Sequence, residues 1–275
     1  QAYDPDTELD IALLDWPGGT KQPFAVGSSS VGVWGMPKGL ELLSTQYGTM
    51  SLAQVSEPAI SLADSPPMLN QSQAEWLSLL HGVHTRFGAL KGVAPIQGEA
   101  FAWPGLADSL SMFARYGATA FYTGEWSKKA LRTMGMHGPS AEDLMDYEVI
   151  AGPARQLQLG ELILRLPIHS LTADMLEALT LPGSHDRKSL DSSIVDNLRE
   201  FASSDTAHSG PSTTSIMIRD SEGMSVALVL SNGSGSGIIH QGVQLNNVGG
   251  EIDLLNAAAW KPGSSRFPTR MCPLT

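Results

Sequence analysis

The chain has 275 residues, 42% of them apolar and 16% charged, which is enough to bury a substantial core and unlike a disordered chain. Seventeen Lys and Arg against 28 Asp and Glu leave a net charge of −11, which argues against nucleic acid or an anionic membrane surface as partner. No apolar window reaches the roughly 18 residues of a membrane-spanning helix, so no membrane insertion is expected. The single cysteine rules out an intrachain disulfide and zinc sites built on cysteine pairs.

In chain order, the apolar run Asp10 to Asp15 predicts a strand. A loop rich in Gly, Pro and Ser is expected from Trp16 to about Val33. Pro37 can open a helix with Leu40, Leu43 and Tyr47 on one face and Gly48 as its stop. Ser51 and Gln54 form a candidate capping box for a second helix, with Leu52, Val55, Ala59 and Leu62 as its buried face. Trp76 to about Phe87 reads as one helix. Another starts after Pro104, with Leu106, Leu110 and Phe113 at helical spacing and Gly117 at its end. Ser140 and Asp143 form a second capping box. Glu161 to Ile168 reads as a strand, and Ile194, Leu198 and Phe201 mark a last helix.

The texture then changes. Asp205 to Ser212 is a polar loop. Thr213 to Asp220 and Met224 to Ser231 are β-rich runs joined by Ser221-Glu222-Gly223, which predicts a hairpin. A further strand ending at Asn246-Asn247 is expected after the glycine-rich run Asn232 to Gly237. Helices first and paired strands later indicate an α+β chain with antiparallel pairing near its C-terminal end. Residue 1 is Gln and no signal-like segment follows, which predicts processing upstream or a piece of a longer reading frame.

Most chemistry-bearing candidates have plain explanations. The glycine-rich run lacks the Gly-Lys-Ser/Thr of a phosphate loop, and Gly235 stands where a nucleophile elbow needs serine, so a flexible strand connection is expected. His81 and His84 lie three apart on a helix, but no third metal ligand is indicated, and surface or packing roles are expected for them and for His137, His208 and His240. Asn70-Gln71-Ser72 and Asn232-Gly233-Ser234 match the short glycosylation pattern, which is frequent by chance. Pro211 to Thr214 is different. If the bond between Ser212 and Thr213 is cut, Thr213 carries a hydroxyl nucleophile and a free α-amine with a pKa of about 7.7–8.0. One residue then supplies nucleophile and base, and no histidine is needed.

On these residues the chain resembles the γ-glutamyltranspeptidase family of N-terminal-nucleophile hydrolases. The likeness runs through Val33 to Ala63, Pro104 to Glu125 and Ser140 to Tyr147. It continues through the Thr213-Thr214 strand with Asp220-x-x-Gly223, Ser231 to Gly237, Leu245 to Leu254 and Lys261 to Pro273. The resemblance implies a four-layer αββα sandwich, incomplete at both ends. Within one structural domain, residues 1–212 correspond to a large-subunit segment, and 213–275 to the start of a small-subunit segment. It implies autocleavage of a zymogen between Ser212 and Thr213, after which large and small chains pair. Thr213 is the expected nucleophile, Ser231 its supporting hydroxyl, and Asn232 a holder of the terminal amine or substrate. Glu251, or Asp253 if the alignment slips, matches the segment that binds the substrate amine, and Thr269 and Arg270 fall where a Ser-Ser pair contacts its carboxylate. The partner is a small-molecule amide, such as the γ-glutamyl compounds of glutathione metabolism, and no metal or organic cofactor is implied.

The departures are specific. Ser215 stands where the family has His. Asp15-Trp16-Pro17-Gly18 replaces the arginine step that grips a glutamyl carboxylate, a charge-assisted contact; Arg270 is the one candidate replacement. The oxyanion Gly-Gly pair has no counterpart before residue 275; each such donor is worth roughly 10²–10³ in rate. These departures keep two alternatives beside the γ-glutamyl enzyme. One is an acylase or amidohydrolase with a non-glutamyl substrate. The other is a non-catalytic homologue that serves as a binding or assembly subunit.

Overall fold

The computed structural model describes residues 9–16, 19–135, 137–159, 162–168, 170–180, 213–250 and 271. They fall into two compact units: one of residues 1–149 with 234–251, the other of 150–233 with 252–275.

The first unit opens with a hairpin, not the expected strand followed by a long loop. β1 (Asp10–Trp16) pairs antiparallel with β2 (Thr20–Val26), Asp10 facing Val26 and Trp16 facing Thr20. Pro23 hides β2 from a propensity reading, because proline cannot donate to a ladder and is tolerated only at a sheet edge. Phe24, Val26 and Leu14 nevertheless bury themselves with Val83 as a small apolar cluster.

Helices follow: α1 (Met36–Tyr47), α2 (Leu52–Asp64), α3 (Gln71–Leu79), α4 (His81–Arg86) and α5 (Leu106–Tyr116). α6 (Thr119–Tyr122), α7 (Glu125–Met134) and α8 (Ala141–Met145) complete the series. Both expected capping boxes form. Ser51 accepts from the Gln54 N–H while Gln54 returns the bond, and Ser140 and Asp143 do the same. The helix expected over Trp76 to Phe87 is two. Leu80 sits at φ −87°, ψ 0°, outside helical geometry, and separates α3 from α4. α3 starts earlier than expected, on a capping box of Asn70 and Gln73.

The buried face of α2 also differs from expectation. Val55 and Leu62 are 50% and 58% exposed, and Ala59 is exposed as well. The inward stripe is Leu52, Ser56, Ile60 and Ala63, and α2 packs on α5. Both stripes keep helical spacing, so periodicity alone could not choose between them. The larger core gathers around α6 and α7. Phe121, Tyr122, Trp126, Ala130, Met134 and Leu144 are buried there with Val31, Ile238 and Leu245. Two indoles meet edge to face, Trp34 and Trp126, at 5.6 Å. Lys38 lies over the Tyr122 ring and donates to the Tyr147 carbonyl.

This unit also contains residues 234–250, and they are not a flexible connection. β7 (Ile239–His240) and β8 (Val243–Gln244) form a minimal hairpin in place of the single strand expected up to Asn247. Gly235 and Gly237 both sit at φ +81°. A Cβ on Gly235 would overlap the Gln244 amide, and one on Gly237 would come within 2.5 Å of Val83. Ser236 is buried, its hydroxyl donating to the Leu245 carbonyl at 2.9 Å.

In the second unit, β3 (Arg155–Leu159) pairs antiparallel with β4 (Leu162–Leu166), and α9 (Leu171–Thr180) follows. Arg155 ties strand to helix through Asp174 at 2.7 Å and Glu177 at 3.3 Å. β5 (Thr213–Arg219) pairs antiparallel with β6 (Ser225–Ser231). Every strand pair among the described residues is antiparallel, so the α+β class holds, with strands at the front of the chain as well as the back. Among the described residues no helix is long and apolar enough to cross a membrane. The helix expected around Ile194 to Phe201 and the loop Asp205 to Ser212 lie outside the described residues.

Candidate active site

The β5–β6 hairpin is set by its turn. The Asp220 carboxylate accepts from the Glu222 and Met224 N–H groups at 3.0 and 2.8 Å, an Asx-type closure that also fixes the strand ends. Gly223 supplies the left-handed step at φ +93°, which costs glycine nothing. Asp220 N–H donates to the Met224 carbonyl at 3.0 Å, so this pair is hydrogen-bonded across the ladder. Hydrogen-bonded and non-bonded pairs alternate in an antiparallel ladder. Counting from the turn, Thr213 and Ser231 face each other as a non-bonded pair.

Two consequences follow for chemistry. Non-bonded pairs have the closer side chains, with Cβ atoms about 4.5–5.5 Å apart on one face, so the two hydroxyls share a side of the ladder. The main-chain nitrogen of Thr213 also points away from β6, and the ladder does not consume it. Ser231 Oγ accepts from the Gly233 N–H at 3.0 Å. A serine hydroxyl has one proton and two lone pairs, so Ser231 can still donate to the threonine oxygen opposite. Thr213 is exposed, Ser231 half-buried and Asn232 exposed.

The sequence thus singles out three residues that the fold brings to one hairpin end: Thr213, Ser231 and Asn232. Ser212, Glu251, Asp253, Thr269 and Arg270 lie outside the described residues.

Sequence reasoning missed the work of Asn246 and Asn247, both buried. Asn246 closes a two-way amide pair on Gly32, accepting its N–H and donating to its carbonyl, each at 2.9 Å. Asn247 donates to the Ala25 carbonyl at 3.0 Å and to Ser234 Oγ at 2.6 Å, and accepts from the Gly235 N–H at 3.2 Å. Side-chain amides that offer both donor and acceptor suit a buried loop that lacks ladder partners. The adjacent pair of asparagines after a β run was the available signal.

His84 and His240 pack against aromatic rings, His137 is exposed, and His208 lies outside the described residues. His84 is only 2% exposed, with its ring edge-on to Trp103 at 5.2 Å. Burial, helped by His81, pushes its pKa down to about 4. His240 packs against Trp126 at 4.9 Å, and burial lowers its pKa too. Among the described residues no three His, Cys, Asp or Glu side chains gather as a metal site would need.

The comparisons with known proteins agree at two levels. By fold, the chain matches the crystal structure of a cephalosporin acylase from Bacillus halodurans with a TM-score of 0.65. The match covers 90% of this chain and 58% of that one, at 23% identity, a level that speaks for the fold alone. By sequence, the profile of the γ-glutamyltranspeptidase family matches residues 9–181, and the chain belongs to that family of enzymes. The matched region ends ahead of Thr213. Among curated relatives, a glutathione hydrolase-like YwrD proenzyme from Bacillus subtilis (strain 168) is 31% identical over 116 residues, covering 40% of this chain and 22% of the relative. A glutathione hydrolase proenzyme from Pseudomonas sp. (strain A14) is 33% identical over 125 residues, covering 43% and 22%. The aligned part of this chain therefore spans about a fifth of each of these relatives.

Proposed function

We propose that this chain carries the nucleophile of a γ-glutamyltranspeptidase-like hydrolase or acyltransferase, made as a proenzyme and cut before Thr213. The observation that carries the reading is the register that sets Thr213 opposite Ser231. The word proenzyme in the names of both relatives supports the cut. In this scheme residues 1–212 and 213–275 belong to two chains that stay paired, and the hairpins are parts of an αββα sandwich.

In turnover the Thr213 hydroxyl oxygen attacks the amide carbonyl carbon and its proton passes to the free α-amine. That proton leaves with the departing amine, and a threonine ester remains. Water or an amino acceptor then takes the acyl group and regenerates the hydroxyl. Ser231 donates to the threonine oxygen, and Asn232 holds the terminal amine or the substrate. Glu251 or Asp253 takes a substrate amine, and Thr269 with Arg270 its carboxylate.

A second substrate class rests on one observation, the Asp15-Trp16-Pro17-Gly18 step in place of a carboxylate-gripping arginine. It favours a non-glutamyl acyl amide, and the fold match to a cephalosporin acylase accords with it. The deciding test compares a γ-glutamyl anilide with a plain acyl anilide on the product of the complete gene. A γ-glutamyl compound hydrolysed no faster than the acyl one removes the glutamyl assignment. Intact mass of the same product reads the cut. Two chains, the smaller beginning at Thr213, are expected, and a single uncut chain points instead to a non-catalytic homologue.

A further inference from the structure

Asn232 is followed by Gly233, and that dipeptide has a chemistry of its own. The Gly233 backbone nitrogen can attack the Asn232 side-chain carbonyl carbon. A carbon–nitrogen bond forms to close a five-membered imide. The bond to the side-chain nitrogen breaks, and ammonia leaves with the proton lost by Gly233. Water then opens the imide to aspartate, or to isoaspartate with an extra methylene in the main chain. Glycine offers no Cβ to hinder the attack, and Asn232 is exposed to the water that the last step needs. By sequence this is the most reactive kind of position for spontaneous deamidation.

The hairpin geometry works against the reaction. The attacking nitrogen must give up its proton and rotate toward the side chain. Its N–H is instead donated to Ser231 Oγ at 3.0 Å, closing a short turn across Asn232. Ser231 is itself held by the pairing of β6 with β5, so the acceptor cannot follow a rotating amide. Gly233 is buried and sits at φ +61°. We propose that the Ser231 hydroxyl protects Asn232 from deamidation by holding the Gly233 amide. This role is independent of acyl transfer, because its readout is the covalent state of residue 232 and not activity.

The test follows isoaspartate at residue 232 by peptide mass mapping and isoaspartyl methyltransferase labelling during incubation at mildly alkaline pH. Ser231→Ala and Ser231→Val should convert about fivefold faster than wild type, the factor that one net hydrogen bond represents. Ser231→Thr keeps the hydroxyl on a strand-compatible side chain and should convert at the wild-type rate. The Val and Thr variants share shape, so a difference between them isolates the hydroxyl from any loosening of β6. Wild type unfolded in denaturant supplies the unprotected rate. The proposal is overturned if Ser231→Val and Ser231→Thr convert equally fast, or if folded wild type converts as fast as the unfolded chain.

Discussion

His84 shows how one buried side chain makes stability depend on pH. Among the described residues neither of its ring nitrogens has a hydrogen-bond partner, so a proton there gains nothing and loses hydration. Its pKa is about 4 when folded and near 6.5 in the unfolded chain. The unfolded state therefore takes up a proton that the folded state refuses. Stability is complete above about pH 6.5, falls as the pH drops toward 4 and levels off below that, by up to about 3 kcal/mol. Urea midpoints of wild type and His84→Leu between pH 7.5 and 4.5 check it; equal pH slopes would sink the assignment. Asn247 makes a second residue-level case. Replacing it with alanine removes three hydrogen bonds and leaves the Gly235 N–H and Ala25 carbonyl buried, so a loss of about 2–4 kcal/mol in urea unfolding is expected. Sequence alone marked His84 as a surface or packing residue but gave Asn247 no role, because one of its partners, Ala25, lies 222 residues away in the chain.

Among the elements, those with local causes were legible. The capping boxes at Ser51 and Ser140 and the hairpin turn at Asp220-x-x-Gly223 are written within four residues and appear as expected. Where tertiary packing chose between two locally acceptable answers, the sequence could not decide. The α2 stripe rotated away from Val55 and Leu62, Leu80 broke a helix, and Pro23 disguised a strand. The glycine-rich loop read as slack because its composition is that of a linker, yet Gly235 and Gly237 each answer a close approach that only the fold reveals. Gly237→Ala should therefore cost about 2–4 kcal/mol, since it adds an atom against Val83 and Phe87 and strains a positive φ. Thermal unfolding checks this, and a melting temperature equal to wild type would restore the linker reading.

For the whole molecule, the decisive variant is Thr213→Ala in the product of the complete gene. It should remain one chain and show no turnover of either anilide, and intact mass reads the outcome directly. Cleavage that survives the substitution would move the nucleophile elsewhere. The hairpin that carries Thr213 exposes Ile216, Ile218 and Val226 on one side of the ladder, which is apolar, whereas Met217 shares the other side with Thr213, Ser215, Arg219, Ser225 and Ser231. An antiparallel ladder of that pattern is suited to being covered on its apolar face, in keeping with the proposed sandwich. Six cross-strand pairs, from Arg219–Ser225 to Thr214–Leu230, lie between the turn and the Thr213–Ser231 pair, with no bulge to absorb an error. The ladder thus acts as a ruler with a parity. Losing one codon anywhere in Ser215 to Arg219 would keep the reading frame, the threonine and the serine, yet deliver the hydroxyl to the opposite side of the sheet. A lesion of that kind would look harmless to any survey that asks only whether Thr213 and Ser231 are still there.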